Sequence, residues 1–153
     1  MQRRLLGVIG ALALTASACT TSQYLRYVDA VMNGHEAEAK AAAALYEAER
    51  ADATAGRPCA EWYDVAISAG FTADDWRYPI ASVIMPRESH CNPGAIGPTD
   101  DWGLMQIHGS WVRALCGAGV ACSRQELLDP ETNLKAAFFV RGAQGWGAWS
   151  TYR

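Results

Sequence analysis

The chain carries no excess of positive charge: Lys plus Arg is 13 against 16 Asp plus Glu, a formal net charge of −3. A protein whose main partner is nucleic acid needs a basic face for phosphates, so that class is not expected. No apolar run approaches the roughly 20 residues of a membrane-spanning helix, since the longest, Leu5 to Leu14, is about half that length. The 14 Gly and 6 Pro show no period, which excludes collagen-like and low-complexity classes. There is no C-x2-C pair and no suitably spaced His, so neither a zinc site nor any other metal or cofactor is expected. What is present points to a folded chain. Half of the 153 residues are hydrophobic, with 6 Trp and 6 Tyr, whereas disorder goes with few aromatics and high charge. The length suits one domain plus an appendage.

The first residues read as an address. Arg3 and Arg4 precede the apolar run, and Thr15-Ala16-Ser17-Ala18 precedes Cys19. A basic start, a short apolar segment and small residues make a secretory signal over residues 1–18. Small residues directly before a Cys resemble the lipobox of bacterial lipoproteins, which implies lipidation of Cys19 and membrane attachment. Ala16-Ser17-Ala18 also reads as an A-x-A site for ordinary secretion. Either way the protein is expected to be exported, at the cell surface or in the periplasm.

With Cys19 set aside, Cys59, Cys91, Cys116 and Cys122 remain, an even number that implies two disulfides. Cys116 and Cys122 flank a short Gly-containing loop, which leaves Cys59 for Cys91.

Residues 19–56 differ in composition from the rest. Ala and Glu dominate, and the charge is 3 basic against 6 acidic. These are strong helix formers with little apolar surface, so a solvated helical spacer or stalk is expected, ending at Ala55-Gly56-Arg57-Pro58. Tyr24, Leu25, Tyr27, Val28, Val31 and Met32 leave room for a partner-binding face. Residues 57–153 carry 8 basic against 10 acidic residues and form the compact domain. Its reading is mainly α. One helix spans Ala60–Ala69. Thr72 caps a second, and Ile80, Val83 and Ile84 at i, i+3, i+4 spacing run to Glu88. Pro79 suits a helix start and Pro86 predicts a kink. Asn92 to Asp101 is a loop, helices follow at Gln106–Leu115 and from Pro130 to Arg141, and one short strand is expected near Trp102–Ile107.

Three elements stand in order: Glu88-Ser89, then Trp102-Gly103-Leu104-Met105-Gln106-Ile107, then Asp129-Pro130-Glu131-Thr132-Asn133-Leu134. The chain closes on Trp146-Gly147-Ala148-Trp149-Ser150-Thr151-Tyr152. Over residues 59–153 this set resembles the lysozyme-like domain of soluble lytic transglycosylases and goose-type lysozymes. The resemblance implies an α+β lysozyme-like fold with a substrate cleft, acting as a monomer on peptidoglycan. The bond cleaved would be the β-1,4 link between N-acetylmuramic acid and N-acetylglucosamine.

By that resemblance Glu88 is the catalytic acid. Cleavage needs a proton on the leaving oxygen, and a carboxyl group facing an apolar cleft keeps its proton because desolvation disfavours the charged form. Ser89 would bond near Glu88 or the sugar, Gly103 would let backbone approach substrate, and Leu104 would join the cleft. Met105 would form an apolar wall, although core filling suits it equally, and Gln106 would meet an N-acetyl or hydroxyl group. Trp102, Trp146, Trp149 and Tyr152 can stack on sugar faces or pack the core. Asn133 and Leu134 would support the site.

Two departures bear on the reaction. Goose-type enzymes place an Asp after the M-Q-hydrophobic element, where this chain has His108. Many lytic transglycosylases carry a Y-N-x-G element near the end, where this chain has W-G-A-W. A hydrolase needs a second carboxylate, for which Asp100 and Asp101 are candidates. A transglycosylase needs one alone, because the muramic acid 6-hydroxyl is the nucleophile, and this is the favoured reading. A non-catalytic glycan-binding lipoprotein is the rival, and an assembly role for the Ala/Glu helix is a third possibility.

Overall fold

A computed structural model describes residues 32–34 and 36–152. The signal segment, Cys19 and the apolar positions of residues 24–31 lie outside them.

The Ala/Glu-rich segment forms one long helix, α1 (Glu36–Thr54). It lies against the rest of the chain. Ala53 is fully buried. Asp64 accepts from the Tyr46 hydroxyl at 2.7 Å and from Arg50 at 2.9 Å, and Arg77 reaches Asp52 at 2.6 Å. Burial and the Asp64 carboxylate hold the Tyr46 phenol above its ordinary range.

A 3-10 turn (Ala60–Trp62) leads into α2 (Tyr63–Ser68). Thr72 then caps α3 (Ala73–Asp75): its hydroxyl accepts from the Asp75 N–H, and the Asp75 carboxylate accepts from the Thr72 N–H, both at 3.0 Å. Asp75 also takes a 2.8 Å bond from Arg141, which ties this cap to the last long helix. Extended backbone at Tyr78 interrupts the following stretch, Trp76–Ile84, as the Pro79 start signal implies. The turns after Pro79 are wide, of π type, and they hand over to α4 (Met85–Glu88) with Pro86 in its first turn. The backbone break therefore falls at Tyr78, whereas Pro86 lies in continuous helical backbone after Ile84 and Met85, just beyond the wide turn in which the Met85 N–H bonds to the Ile80 carbonyl. Ile80 and Ile84 are fully buried beside Trp76 and Met85.

The expected single strand is a small antiparallel hairpin, β1 (Asp101–Trp102) and β2 (Ile107–His108), with Asp101 opposite His108 and Trp102 opposite Ile107. Gln106 belongs to its turn rather than to the next helix. That helix begins with a 3-10 turn at Gly109–Trp111 and continues as α5 (Val112–Gly117). Asp129 caps α6 (Pro130–Gln144) by accepting from the Thr132 N–H at 2.9 Å. Two 3-10 turns, Trp146–Ala148 and Ser150–Tyr152, follow.

The disulfides join Cys59 to Cys91 and Cys116 to Cys122. The fold is mainly helical, with the one short hairpin against the helices. Among the described residues no helix is long and apolar enough to cross a membrane.

Candidate active site

The segment around Glu88 is fixed from both sides. Upstream, the buried Ile80, Ile84 and Met85 anchor the helix that carries it. Downstream, His90 and Cys91 take left-handed backbone, and Cys91 is stapled to Cys59. The Trp62 indole N–H donates to the Cys91 carbonyl at 3.1 Å. Glu88 thus stands at the end of α4 on an immobilised turn, half-buried.

A cleft opens between this turn, the hairpin and the C-terminal turns. Glu88, Asp101, Gln106, Ile107, His108, Trp111, Val140, Gln144, Ala148, Trp149 and Ser150 line it. Glu88 Oε1 accepts from the Thr151 hydroxyl at 2.6 Å. His108 Nδ1 lies 2.7 Å from the Ser110 hydroxyl. Gln106 lines the cleft with its amide nitrogen donating to the Gly103 carbonyl at 2.9 Å and the Ala95 carbonyl at 3.2 Å. The side chain is therefore braced by the loop it belongs to.

The two candidate second carboxylates part company. Asp100 is gripped by Arg124, with Nε–Oδ1 and Nη2–Oδ2 both at 2.7 Å, and it accepts from the Trp102 indole at 2.8 Å. The Arg124 guanidinium first, and the Trp102 N–H second, hold its carboxyl down at about 2. Gly109 makes room for this pair: a Cβ there would fall 2.2 Å from Asp100 Oδ2. Asp100 does not line the cleft. Asp101 does, and the Thr99 hydroxyl donates to its Oδ2.

Several expected contact residues serve the framework instead. Ser89 is buried and its hydroxyl donates to the Met85 carbonyl at 3.2 Å, closing the last turn of α4. Leu104 and Met105 are fully buried in the core, so Met105 is no cleft wall. Gly103, at φ +73°, is required by packing rather than by access to substrate: a Cβ there would meet the Leu127 carbonyl oxygen at 2.2 Å and Asn133 Nδ2 at 2.3 Å. Trp102 packs on the core with its N–H on Asp100. Trp146 stacks on Phe71 at 5.9 Å, with the Arg141 guanidinium 4.9 Å from its ring. Tyr152 packs against Trp146 and Tyr78. None of these three lines the cleft. Trp149 does, and its indole N–H donates to the Met105 carbonyl at 2.7 Å.

Asn133 is the hub beneath the hairpin. Fully buried, it accepts from the Met105 N–H at 2.8 Å and donates to the carbonyls of Trp102 (2.8 Å) and Leu127 (2.7 Å). Its place in D-P-x-x-N-L signalled a supporting role. Thr151 carried no assigned role in the sequence; only its place in the closing W-S-T-Y marked it.

Among the described residues no group of three or more His, Cys, Asp or Glu side chains is arranged to hold a metal ion. In comparisons with known proteins, a family model described as a lysozyme-like domain matches residues 63–151, more than half of the chain. No curated protein and no solved structure matches. The matched span holds Glu88, the hairpin, Asn133 and Thr151 together. The chain belongs to the lysozyme-like domain family, whose members generally act enzymatically on peptidoglycan.

Proposed function

We propose that the protein cleaves the β-1,4 bond between N-acetylmuramic acid and N-acetylglucosamine as a lytic transglycosylase, with Glu88 as its single acid and base. The observation that carries this reading is the setting of Glu88: half-buried in the cleft, on a turn fixed by a disulfide, with one carboxyl oxygen held by Thr151. Glu88 gives its proton to the leaving oxygen as the glycosidic C–O bond breaks. The muramic acid 6-hydroxyl then bonds to its own anomeric carbon and passes its proton to the Glu88 carboxylate. No water and no second carboxylate enter. The engagement of Asp100 with Arg124 supports the one-carboxylate route.

One observation favours a second reading. Asp101 lines the same cleft as Glu88, as a water-activating base in a muramidase would. Digestion of purified peptidoglycan by the full chain, Glu88→Gln and Asp101→Asn separates the two. Glu88→Gln is expected to release nothing while folding normally, and products are expected to end in 1,6-anhydromuramic acid with Asp101→Asn still active. Reducing ends that disappear with Asp101→Asn would establish the hydrolase. Release by Glu88→Gln equal to wild type would remove Glu88 as the acid in both readings, and no release by the wild-type chain itself would leave a glycan-binding module.

Two disulfides and a peptidoglycan-acting domain suit an exported protein. In the same proposal residues 1–18 are the signal, lipidated Cys19 is the anchor and residues 19–56 lead to the catalytic unit of residues 57–153. The intact mass of the membrane fraction tests the anchor, which requires acyl chains on Cys19.

A further inference from the structure

We infer that Thr151 is a positioning residue that presents one chosen oxygen of Glu88 to the substrate. The inference rests on the reading of Glu88 as acid and base. The last two side chains of α4 grip Thr151 from two directions. The Thr151 hydroxyl donates to Glu88 Oε1 at 2.6 Å, and Arg87 Nη1 donates to the Thr151 carbonyl at 2.9 Å. Arg87 thus holds the backbone of the C-terminal turn in place, and the hydroxyl on that turn holds the neighbouring carboxyl group.

The chemistry follows from which oxygen is occupied. A glutamate side chain is long and its terminal torsion is broad, so a free one spreads its two oxygens over many orientations. A hydrogen bond at Oε1 removes that freedom and leaves Oε2 to meet the glycosidic oxygen. With the transferable proton on Oε2, Oε1 is the carbonyl oxygen of the acid and still accepts from Thr151. After transfer the group is a carboxylate and accepts the same bond, now charge-assisted. One contact therefore persists through both half-reactions and keeps the reacting oxygen in register. Productive geometry of this kind contributes to rate rather than to ground-state binding.

The test is steady-state cleavage of purified peptidoglycan by the full chain carrying Thr151→Val, Thr151→Ser, Arg87→Gln or Glu88→Gln. Valine keeps the shape and removes the hydroxyl; serine keeps the hydroxyl and removes the methyl. Thr151→Val is expected to lower kcat roughly 10- to 100-fold, the scale of a hydrogen bond to a charged group, with KM and thermal midpoint little changed. Thr151→Ser is expected to retain most of the rate, and Arg87→Gln to fall between. Thr151→Ala replaces valine if valine is not accommodated, with the same expectation. Wild-type kcat in Thr151→Val, a loss confined to KM, or equal losses in the valine and serine variants would overturn the inference. If Glu88→Gln itself turns over normally, the acid/base reading fails. If Glu88→Gln is dead and Thr151→Val is normal, only the positioning role fails.

Discussion

Replacing Asn133 probes the joint that carries the cleft. Its amide closes three hydrogen bonds at a site with no solvent access: one accepted from Met105 N–H, two donated to the Trp102 and Leu127 carbonyls. Asn133→Ala strands the Met105 N–H, at about 1–3 kcal/mol, and removes a donor from two carbonyls, at about 0.5–1.5 kcal/mol each. The expected loss is about 4 kcal/mol, a large part of the 5–15 kcal/mol that typically holds a domain. At about 4 °C per kcal/mol this lowers the thermal midpoint by about 15 °C. Asn133→Asp is nearly isosteric and is expected to be worse at neutral pH. One carboxylate oxygen keeps the Met105 bond, but the other faces two carbonyl oxygens and an ion is buried without a counter-charge. Protonation restores one donor, so the gap between the Asp and Ala variants should close as pH falls through the carboxylate range. Urea unfolding followed by tryptophan fluorescence, with disulfides intact, measures both variants. A loss below about 1 kcal/mol for Asn133→Ala at unchanged m-value, or an Asp variant as stable as wild type at pH 7, would refute the argument.

Two further tests concern stability. The disulfides close stretches of 32 and 6 residues, so the chain-entropy relation gives about 4 kcal/mol for Cys59–Cys91 and about 2 kcal/mol for Cys116–Cys122. Paired Cys→Ala variants should follow that order in urea, and a larger loss from the short loop would contradict it. The Asp100–Arg124 pair predicts a pH signature. The Asp100 carboxyl is depressed from 3.8 to about 2, so its contribution is present above the ordinary value and lost as pH falls from about 4 towards 2. Asp100→Asn should flatten the decline of the thermal midpoint over that window, and an unchanged slope would show that the pair adds nothing there.

Much of the helical framework was legible because each part rests on local chemistry. Thr72 with Asp75 at N3 is a capping box, Asp129 before Pro130 is a helix start, and Ile80 with Ile84 marks a buried face. The disulfide pairs followed from parity and loop length. The docking of α1 was not legible. Its composition reads as solvated, yet it is held by Asp64 and Arg77, residues 14 and 25 positions from their partners Arg50 and Asp52. Pairing over such separations has no signature in a single sequence.

The G-L-M-Q element shows where motif reading stops and geometry begins. Two strands of two residues each leave the turn between them to set every side-chain direction, so no alternation can be read along it. Gly103 at φ +73° and Gln106 at φ +47° reverse the chain within four residues. Leu104 and Met105 go into the core, and the backbone of Met105 is held by both Asn133 and Trp149. Gln106 alone of the four reaches the cleft. The motif is therefore specific because it must satisfy a buried joint, and that joint sets the turn from which Gln106, Ile107 and His108 line the same cleft as Glu88. Substitutions at Gly103, Met105 and Asn133 are expected to act by way of folding, whereas under the proposed function those at Glu88 and Thr151 act on the reacting group itself.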